Sequence, residues 1–293
     1  MNATQSITVD SLMRHLAILT WLALLAGCSP VRGPVTPPPA HGMNHLRPRT
    51  ASAAVSPGAA FTPSRPLEPA RITRAQGAGI AFEGVAFDAR SHRLVVADQA
   101  GGPGSRFADA AAAGRSRGGV AAVNAGFFTP AGDPLGRVVA AGNSSGTWNS
   151  ASSLGCGVWH EDAVGRSSIS RREQLGSAGA SAMRELLQAG PMLVENGRTV
   201  AGLDALKPSV RTVILWDGGS RWWLGQASAC TLAELGLALS TCQPAGWPVR
   251  HALNLDGGRS ADLWISPALA GGPIALRAPW NRPVRNFLIL VPR

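Results

Sequence analysis

The strongest constraint on the fold of this chain is a long succession of short β-type segments with very little helix between them. These segments are rich in Val, Ile, Phe and Trp, and Gly, Pro, Asn and Asp separate them, as is typical of strands joined by turns. The clearest hairpin joins R-T-V-I-L-W to R-W-W-L-G-Q through D-G-G-S. The predicted strands are Ile80–Asp88, Leu94–Asp98, Val120–Phe128, Arg137–Ala141, Gly157–His160, Met192–Glu195, Arg211–Trp216, Arg221–Gln226, Ala252–Leu255, Ala261–Ile265 and Val284–Val291.

Only two segments have a helical pattern, Ala182–Gln188 and Leu232–Leu239. The first ends at an Ala-Gly-Pro stop signal, and the second follows Thr231, a suitable N-cap with Glu234 three residues later. Two short helices among many strands do not form alternating β-α-β units. The sequence therefore predicts an α+β fold, in which a single domain has a largely antiparallel or mixed β-sheet core and a few short helices.

The N-terminus has the pattern of an export signal. Arg14 precedes the uncharged run Leu16–Leu25, which is long enough for a signal peptide and too short to span a bilayer. The run ends in L-A-G-C, and small residues before Cys28 suit lipid attachment to its thiol and cleavage before it. We interpret residues 1–28 as a bacterial lipoprotein signal peptide that tethers the protein to a membrane through Cys28. An ordinary signal peptide and a buried helix are the alternatives.

The segment after the signal is rich in Pro, Ala and Ser. Such a composition cannot bury a core, so residues 29–70 are predicted to be a disordered tether, and residues 71–293 form one domain. Ser29 stands where aspartate is associated with inner-membrane retention in Gram-negative cells. The expected location is the cell envelope outside the cytoplasm, at the outer membrane if the cell is Gram-negative.

The formal net charge is +10, and arginine carries nearly all of it, since Lys207 is the only lysine. Nucleic-acid binding is not expected, because the chain is predicted to be exported and its arginines are scattered along the sequence. Solubility beside anionic lipid or glycan is one explanation of the charge, and a specific polyanion site is the other. No C-x-x-C spacing occurs, and no histidine spacing argues for zinc, so no metal or cofactor is predicted.

Three cysteines remain besides Cys28, namely Cys156, Cys230 and Cys242. An oxidising compartment permits a disulfide. A continuous helix between Cys230 and Cys242 would hold them about 18 Å apart, too far to bridge. A shorter helix with both ends folded back would allow the pair to form, so both alternatives stay open.

The first stretch that could take part in binding or catalysis is A-V-N-A-G-F-F, in which Asn124 lies at the end of a predicted strand. An asparagine there presents both a donor and an acceptor. The alternative is a strand that closes in a glycine bend with core phenylalanines.

The second stretch is L-N-L-D-G-G-R-S. Asn254 and Asp256 lie two residues apart and thus on the same face of a strand. Gly257 and Gly258 allow a tight turn whose N–H groups can bind an anion, and Ser260 adds a hydroxyl. A plain D-G-G hairpin is the alternative.

Two further stretches supply cations. Arg211 opens the strand R-T-V-I-L, and Arg282 precedes the C-terminal strand, with Asn286 near that strand's start. The structural alternative for Arg211 is a solvated residue at the edge of a sheet. For the C-terminal stretch the alternative is an edge strand protected by a charged residue. The mature part also contains eight tryptophans, whose faces could stack on sugar rings but which are more simply explained as core residues.

Taken in order, these stretches resemble the motifs of the phosphodiester glycosidase family. The resemblance spans nearly the whole domain 71–293. It includes A-V-N-A-G-F-F with a downstream Leu-Gly pair, Q-A-G-P-M-L-V-E-N-G, R-T-V-I-L, N-L-D-G-G-R-S, and Arg282-Pro283-Val284 followed by Asn286.

The resemblance implies cleavage of the bond between a sugar's anomeric carbon and a phosphodiester oxygen. Asp256 is then the expected catalytic carboxylate, as nucleophile, base or electrostatic stabiliser. Arg211 and Arg282 are expected to hold the leaving phosphate with the Gly257–Gly258 backbone.

Asn124 and Asn254 are expected to bind sugar hydroxyls or phosphate oxygens. The second carboxylate that most glycosidases use is not identified by the sequence. The candidates are Glu83, Asp88, Glu161 and Glu195.

Two departures from the family pattern affect the expected substrate. Arg259 replaces the third glycine of the family's N-L-D-G-G-G-S, and Leu215 replaces the glycine after R-T-V-I. Arg259 is expected to tune the site or block it. The favoured hypothesis is an exported lipoprotein hydrolase that acts on phosphorylated glycans. The alternatives are a non-catalytic lipoprotein that binds glycans or anionic polymers on the same fold, and a purely structural envelope lipoprotein.

Overall fold

A computed structural model describes residues 67–293 of the chain. The predicted signal peptide, Cys28 and nearly all of the predicted tether lie outside these residues. Within them, no helix is long and apolar enough to cross a membrane.

Strands dominate the described part of the chain, as the sequence predicts. Ile80–Asp88 and Met192–Glu195 have the predicted bounds, whereas the strand predicted to continue to Phe128 ends at Asn124. In chain order the strands are β1 (Arg71–Gly77), β2 (Ile80–Asp88), β3 (His92–Asp98), β4 (Ala121–Asn124), β5 (Val138–Ala140), β6 (Asn143–Ser145), β7 (Gly157–Glu161), β8 (Ser167–Arg171), β9 (Glu185–Ala189), β10 (Met192–Glu195), β11 (Arg198–Thr199), β12 (Ser209–Trp216), β13 (Arg221–Cys230), β14 (His251–Asn254), β15 (Asp262–Ile265), β16 (Ile274–Arg277) and β17 (Asn286–Pro292).

These strands form three sheets. The largest has the order β1-β2-β13-β12-β14-β10-β11, the second has the order β16-β15-β4-β17-β3, and the third has the order β6-β5-β9-β7-β8. Every pairing between these strands is antiparallel. The predicted α+β class with an antiparallel sheet core is therefore confirmed.

The central core lies where one face of each sheet meets the other two. Ile214 and Leu253 of the largest sheet pack there with Leu288 of the second and with Trp159 and Leu187 of the third. The opposite face of each sheet carries one helix. This layering buries both faces of the central strands, which explains why they are apolar almost throughout rather than alternating.

Three short α-helices cover the sheets: α1 (Ala110–Ser116), α2 (Arg172–Ala180) and α3 (Leu232–Thr241). Helix α3 confirms the prediction, and the Thr231–Glu234 capping box is present. The helix predicted at Ala182–Gln188 is wrong, because Glu185–Ala189 forms β9, buried between β5 and β7. Pairing on both sides outweighs the weak helical preference of those residues.

The three cysteines of the domain are free thiols. Helix α3 fills the whole interval between Cys230 and Cys242, so the continuous-helix alternative holds and the disulfide between them does not form.

The β12–β13 hairpin predicted from D-G-G-S is present, with Trp216 opposite Trp222. On its far side β13 pairs with β2, where Gly225 lies opposite Gly84. A Cβ at Gly225 would collide with the carbonyl oxygen of Glu83 and lie 2.6 Å from the Cα of Gly84. The close approach of these strands therefore requires glycine.

We expect Gly225→Ala to lower the free energy of unfolding by about 2 kcal/mol or more, because backbone atoms must move to admit the methyl group. Gly219→Ala is the matched control, since a Cβ in this turn of the same hairpin would meet only the Asp217 side chain at 3.4 Å or beyond. Urea denaturation of both variants measures the difference. Equal stability of the two variants would contradict the packing argument.

Candidate functional site

Asp256 lies two residues after the end of β14, at the junction of the seven-stranded sheet and the sheet that contains β4. The N–H of the preceding Leu255 donates to the carbonyl of Thr212 in β12 at 2.9 Å. The N–H of Asp256 itself donates to the carbonyl of Ala125, just beyond β4, also at 2.9 Å. The backbone at Asp256 is therefore fixed by both sheets.

The side chain of Asn124 ties this junction together. Its Nδ2 donates to the carbonyl of Asp256 at 2.7 Å, and its Oδ1 accepts from the Thr212 hydroxyl at 2.7 Å and from the N–H of Asp262 at 3.0 Å. Asn124 is fully buried. The structure thus places it behind the expected site, where it positions Asp256 rather than presenting a free amide for sugar hydroxyls.

The turn after Asp256 has the tight geometry that its glycines predict. Gly258 has a φ of +57°, in the left-handed region, and opens a short 3₁₀ turn that ends at Ser260. A Cβ at Gly257 would lie 2.6 Å from the carbonyl oxygen of Val210, so the turn packs directly on the start of β12. Each glycine is therefore required by a specific local constraint.

The Asp256 carboxyl is partly buried, and no ion pair with a described residue compensates it. Burial raises its pKa to about 6, against hydrogen bonds from Ser260 and from the N–H of Gly257, which lies 2.9 Å from Oδ1. This carboxyl is mostly ionised above about pH 6, and only two groups, Ser260 and the N–H of Gly257, donate hydrogen bonds to it. It can act as a nucleophile, a base or a stabiliser of developing positive charge.

The expected cations take different positions around this turn. Arg211 is half-buried, and its guanidinium donates to the carbonyls of Cys230 at 3.0 Å and Lys207 at 2.6 Å. Desolvation lowers its pKa. Arg282 is exposed, and its N–H donates to the carbonyl of Arg259 at 2.9 Å, so these two residues are neighbours.

The two residues that depart from the family pattern, Arg259 and Leu215, lie in different environments. Arg259 is exposed, with its Nη2 3.4 Å from the carbonyl oxygen of Trp280. Leu215 is fully buried in the core beneath α3, where it contributes to packing.

A cavity of about 320 Å³ borders the turn after Asp256. Gly258, Arg259, Trp280 and Asn281 line it together with Ser209 at the start of β12. The Trp280 side chain is 68% exposed, and the Oδ1 of Asn281 is buried without a hydrogen-bond partner. The cavity therefore combines a flat apolar surface, a cation and an unused acceptor.

The remaining two asparagines each leave one polar atom unpaired. Asn254 donates to the carbonyl of Gly190 at 2.9 Å, but its Oδ1 has no partner. Asn286 accepts from the N–H of Gly126 at 2.7 Å, but its Nδ2 has none. Buried unpaired polar atoms are uncommon and mark places where a ligand or water completes the hydrogen bonding.

Sequence reasoning missed the residues that hold the loop of Trp280 beside this cavity. Asp262 is buried, and its carboxylate accepts from the N–H of Ala110 at 2.9 Å and from Arg277 at 3.1 Å. Arg277 in turn holds the loop of Trp280 through the carbonyls of Asn281 and Arg282, both at 3.2 Å. The only sequence signal was a tryptophan placed between Pro and Asn, outside any strand.

Burial also raises the pKa of Asp262 to about 6.

The four carboxylates suggested as partners of Asp256 lie elsewhere. Glu83 lines a neighbouring cavity and pairs with Arg74 at 2.7 Å. Asp88, Glu161 and Glu195 are engaged by arginines and do not line the cavity beside Asp256.

No group of three or more His, Cys, Asp or Glu side chains in residues 67–293 is arranged to hold a metal ion.

Residues 117–291, more than half of the chain, match the sequence model of the phosphodiester glycosidases. The chain belongs to the phosphodiester glycosidase family. The match includes Asn124, Arg211, Asp256 and Arg282. No curated protein sequence matches the chain.

The solved structures that are similar to this one include a zebrafish protein and a Synechocystis protein. The catalytic domain of zebrafish N-acetylglucosamine-1-phosphodiester alpha-N-acetylglucosaminidase, auto-inhibited by its pro-peptide, is 17% identical with a TM-score of 0.54, over 79% of this chain and 85% of that one. A hypothetical protein from Synechocystis is 18% identical with a TM-score of 0.52, over 76% of this chain and 61% of that one. At these identities the likeness shows a shared fold.

The desolvation of the Asp256 carboxyl leads to a prediction about the stability of the protein. Burial favours its neutral form, so the folded protein holds this proton to a higher pH than the unfolded chain does. The wild-type protein therefore loses stability as the pH rises from about 4 through about 6. We expect Asp256→Asn to be more stable than wild type at pH 8, by about 2–3 kcal/mol, with a smaller difference at pH 4.

Denaturation at both pH values measures this effect. The control is Asp217→Asn, which changes the other Asp-Gly-Gly turn, where Asp217 pairs with Arg221 at 2.6 Å. This control should gain no stability at either pH. A gain for Asp256→Asn that does not depend on pH would show that its charge is not the cause.

Proposed function

We propose that this protein hydrolyses a sugar-1-phosphodiester, with Asp256 as the catalytic carboxylate. The observation that carries the proposal is the partly buried carboxyl of Asp256, which has a raised pKa and no ion-pair partner within residues 67–293. It stands at the start of a glycine turn whose Gly258 and Arg259 line a cavity of about 320 Å³. Membership of the phosphodiester glycosidase family supports this reaction class.

The reaction breaks the bond between the anomeric carbon and the phosphodiester oxygen. Positive charge develops on the sugar ring in the transition state, and an ionised Asp256 stabilises it or attacks the carbon. Water supplies the hydroxyl of the released sugar, and its proton balances the products, a free sugar and a phosphomonoester. The leaving phosphate is a weak base, so neutralisation of its charge matters more than its protonation.

The two adjacent arginines at the cavity are suited to that neutralisation. Arg259 lines the cavity, and Arg282 is joined to it by a backbone hydrogen bond. Guanidinium groups bind phosphate oxygens through two parallel hydrogen bonds. We assign the phosphate contact to Arg259 and Arg282, and we assign to Arg211 the positioning of the loop at Lys207, whose carbonyl it binds.

Two other residues that line the cavity suit a sugar. The exposed face of Trp280 can stack on a pyranose ring, and the unpaired Oδ1 of Asn281 can accept a hydrogen bond from a hydroxyl. The proposed sugar and phosphate contacts are therefore neighbours at the same cavity, since Arg259 also reaches the carbonyl of Trp280.

We expect the wild-type protein to release free sugar from at least one methyl glycosyl-1-phosphodiester in a panel of glucose, mannose and N-acetylglucosamine derivatives. Asp256→Asn should lower the turnover at least about a hundredfold, because it removes the negative charge while keeping the side-chain shape. Release of reducing sugar measures the rate, and Asp217→Asn should keep wild-type turnover.

The rate of the wild-type protein should rise as the pH increases through about 6, since Asp256 must be ionised. Wild-type turnover in Asp256→Asn would show that another group is catalytic.

One observation favours a second candidate function, binding without hydrolysis. Arg259 stands where the family pattern has glycine, and no carboxylate is among the described residues that line the cavity. A protein of this kind would bind a methyl glycosyl phosphodiester without cleaving it. The variant Arg259→Gly separates the two hypotheses, because it restores turnover if the arginine obstructs the reaction and weakens binding if the arginine holds the phosphate.

We further propose that the protein is a lipoprotein of the cell envelope, anchored outside the cytoplasm through Cys28 and located at the outer membrane in a Gram-negative cell. The support is the apolar run Leu16–Leu25 followed by L-A-G-C. A tether of about forty residues, positions 29–70, would let the domain reach phosphorylated glycans near that membrane.

We expect the full chain to incorporate a labelled fatty acid when it is expressed in a bacterium with lipoprotein processing, and Cys28→Ser to incorporate none. Labelling followed by membrane fractionation measures both attachment and location. Cys230→Ser is the control, since Cys230 is a buried free thiol of the folded domain and should not affect labelling. Equal labelling of wild type and Cys28→Ser would place the lipid elsewhere.

A further inference from the structure

Arginines that are scattered along the sequence converge on one cavity of the fold. This cavity has a volume of about 580 Å³ and lies beside β3, at the edge of its sheet, and the β5–β6 hairpin. Arg93, Arg106, Arg117 and Arg184 line it, and they come from β3, the loop before α1, the end of α1 and the residue before β9. We call this cavity the arginine pocket.

Three of the four guanidinium groups have no acidic partner among the described residues. Arg106 lies 5.1 Å from the centroid of the Phe107 ring, and Arg117 and Arg184 form no ion pair within residues 67–293. All three are exposed. The fourth, Arg93, is 3.7 Å from the Glu161 carboxylate, and its Nη1 is buried without a hydrogen bond.

The two acidic residues that line the pocket are committed to other groups. Asp98 is held by both Nε and Nη2 of Arg285, at 2.8 and 3.0 Å, and by the Ser145 hydroxyl at 2.8 Å. The oxygens of Glu185 accept from the N–H groups of Val96 and Ala141, at 2.9 and 3.2 Å. Burial raises the pKa of Glu185. Four arginines and only these two acidic residues line the pocket. The pocket therefore keeps a net positive charge.

Such a cluster is unfavourable for the protein alone, because like charges repel and each lacks a counter-ion on the protein. Guanidinium groups match the geometry of phosphate oxygens, and the exposed side chains of Asn143 and Ser144 in the same wall offer hydrogen bonds to a neighbouring hydroxyl. No residue that lines the cavity beside Asp256 lines the arginine pocket. The two cavities therefore have separate binding groups.

We propose that the arginine pocket binds a phosphate-ester or pyrophosphate group, separately from the cavity beside Asp256. The same chemistry is offered by a soluble phosphate compound and by an anionic phospholipid headgroup. The proposal does not depend on the hydrolysis of a sugar phosphodiester.

The test uses the purified full chain and two probes: sodium pyrophosphate in calorimetric titration, and vesicles of phosphatidylglycerol in phosphatidylcholine in co-sedimentation. We expect binding to at least one probe, weakened by salt. The triple variant Arg106→Ala, Arg117→Ala, Arg184→Ala should bind at least about a hundredfold more weakly, on the basis of roughly fivefold for each exposed arginine.

The matched control removes the same charge elsewhere: Arg166→Ala, Arg198→Ala, Arg250→Ala, all exposed and none lining the pocket. This control should bind the probe within about twofold of wild type. Circular dichroism checks that both variants are folded, and Arg184→Ala alone, with an expected fivefold loss, serves if the triple variant does not fold.

Binding of pyrophosphate alone identifies a soluble phosphate compound as the source. Vesicle binding that the triple variant loses, without pyrophosphate binding, identifies a headgroup, because the proposed N-terminal membrane anchor is the same in both proteins. No binding of either probe, or an equal loss in the control variant, would overturn the proposal. Turnover of methyl glycosyl phosphodiesters should be unchanged in the triple variant, so failure of the hydrolase proposal leaves this test intact.

Discussion

The hydrogen bonds of the Asn124 carboxamide are the constraint on which the candidate site depends. One side chain joins the end of β4 to the carbonyl of Asp256, the hydroxyl of Thr212 and the N–H of Asp262. These partners belong to two different sheets, so the amide fixes how the sheets meet. A buried amide with both ends engaged is rigid, because loss of any partner would leave a polar group unpaired.

That rigidity makes it possible to hold a carboxyl group where water is scarce. Burial of Asp256 is unfavourable for its charged form, and only Ser260 and the N–H of Gly257 oppose this effect. The glycines that follow let the chain leave the strand within one tight turn, against the backbone of Val210. The site thus combines a carboxyl group whose charge is unfavourable with a backbone path that few other sequences could follow. Features of this kind, which lower stability, are typical of functional sites.

Strand positions were largely predictable from the sequence, because β-rich segments between turn residues identify themselves locally. The failures have a tertiary cause: Glu185–Ala189 becomes a strand because β5 and β7 pair with it on both sides. In the candidate site, Asp256 and its glycines were predicted from their motif, and their catalytic role stays a prediction. Asp262, Arg277 and Trp280 were missed, because their relation to Asp256 arises from contacts between β15, β16 and the following loop rather than from spacing.

The sequence by itself determined the α+β class, the antiparallel hairpins and the family, because each depends on local patterns or motifs in order. Only the tertiary structure decided that Asn124 lies behind the site, that Arg259 and Arg282 are neighbours, and that Cys230 and Cys242 are separated by a helix. It also gathered Arg93, Arg106, Arg117 and Arg184 around one pocket. Charge and burial depend on distances in space, and residues far apart in the chain carry no sequence signal of such proximity.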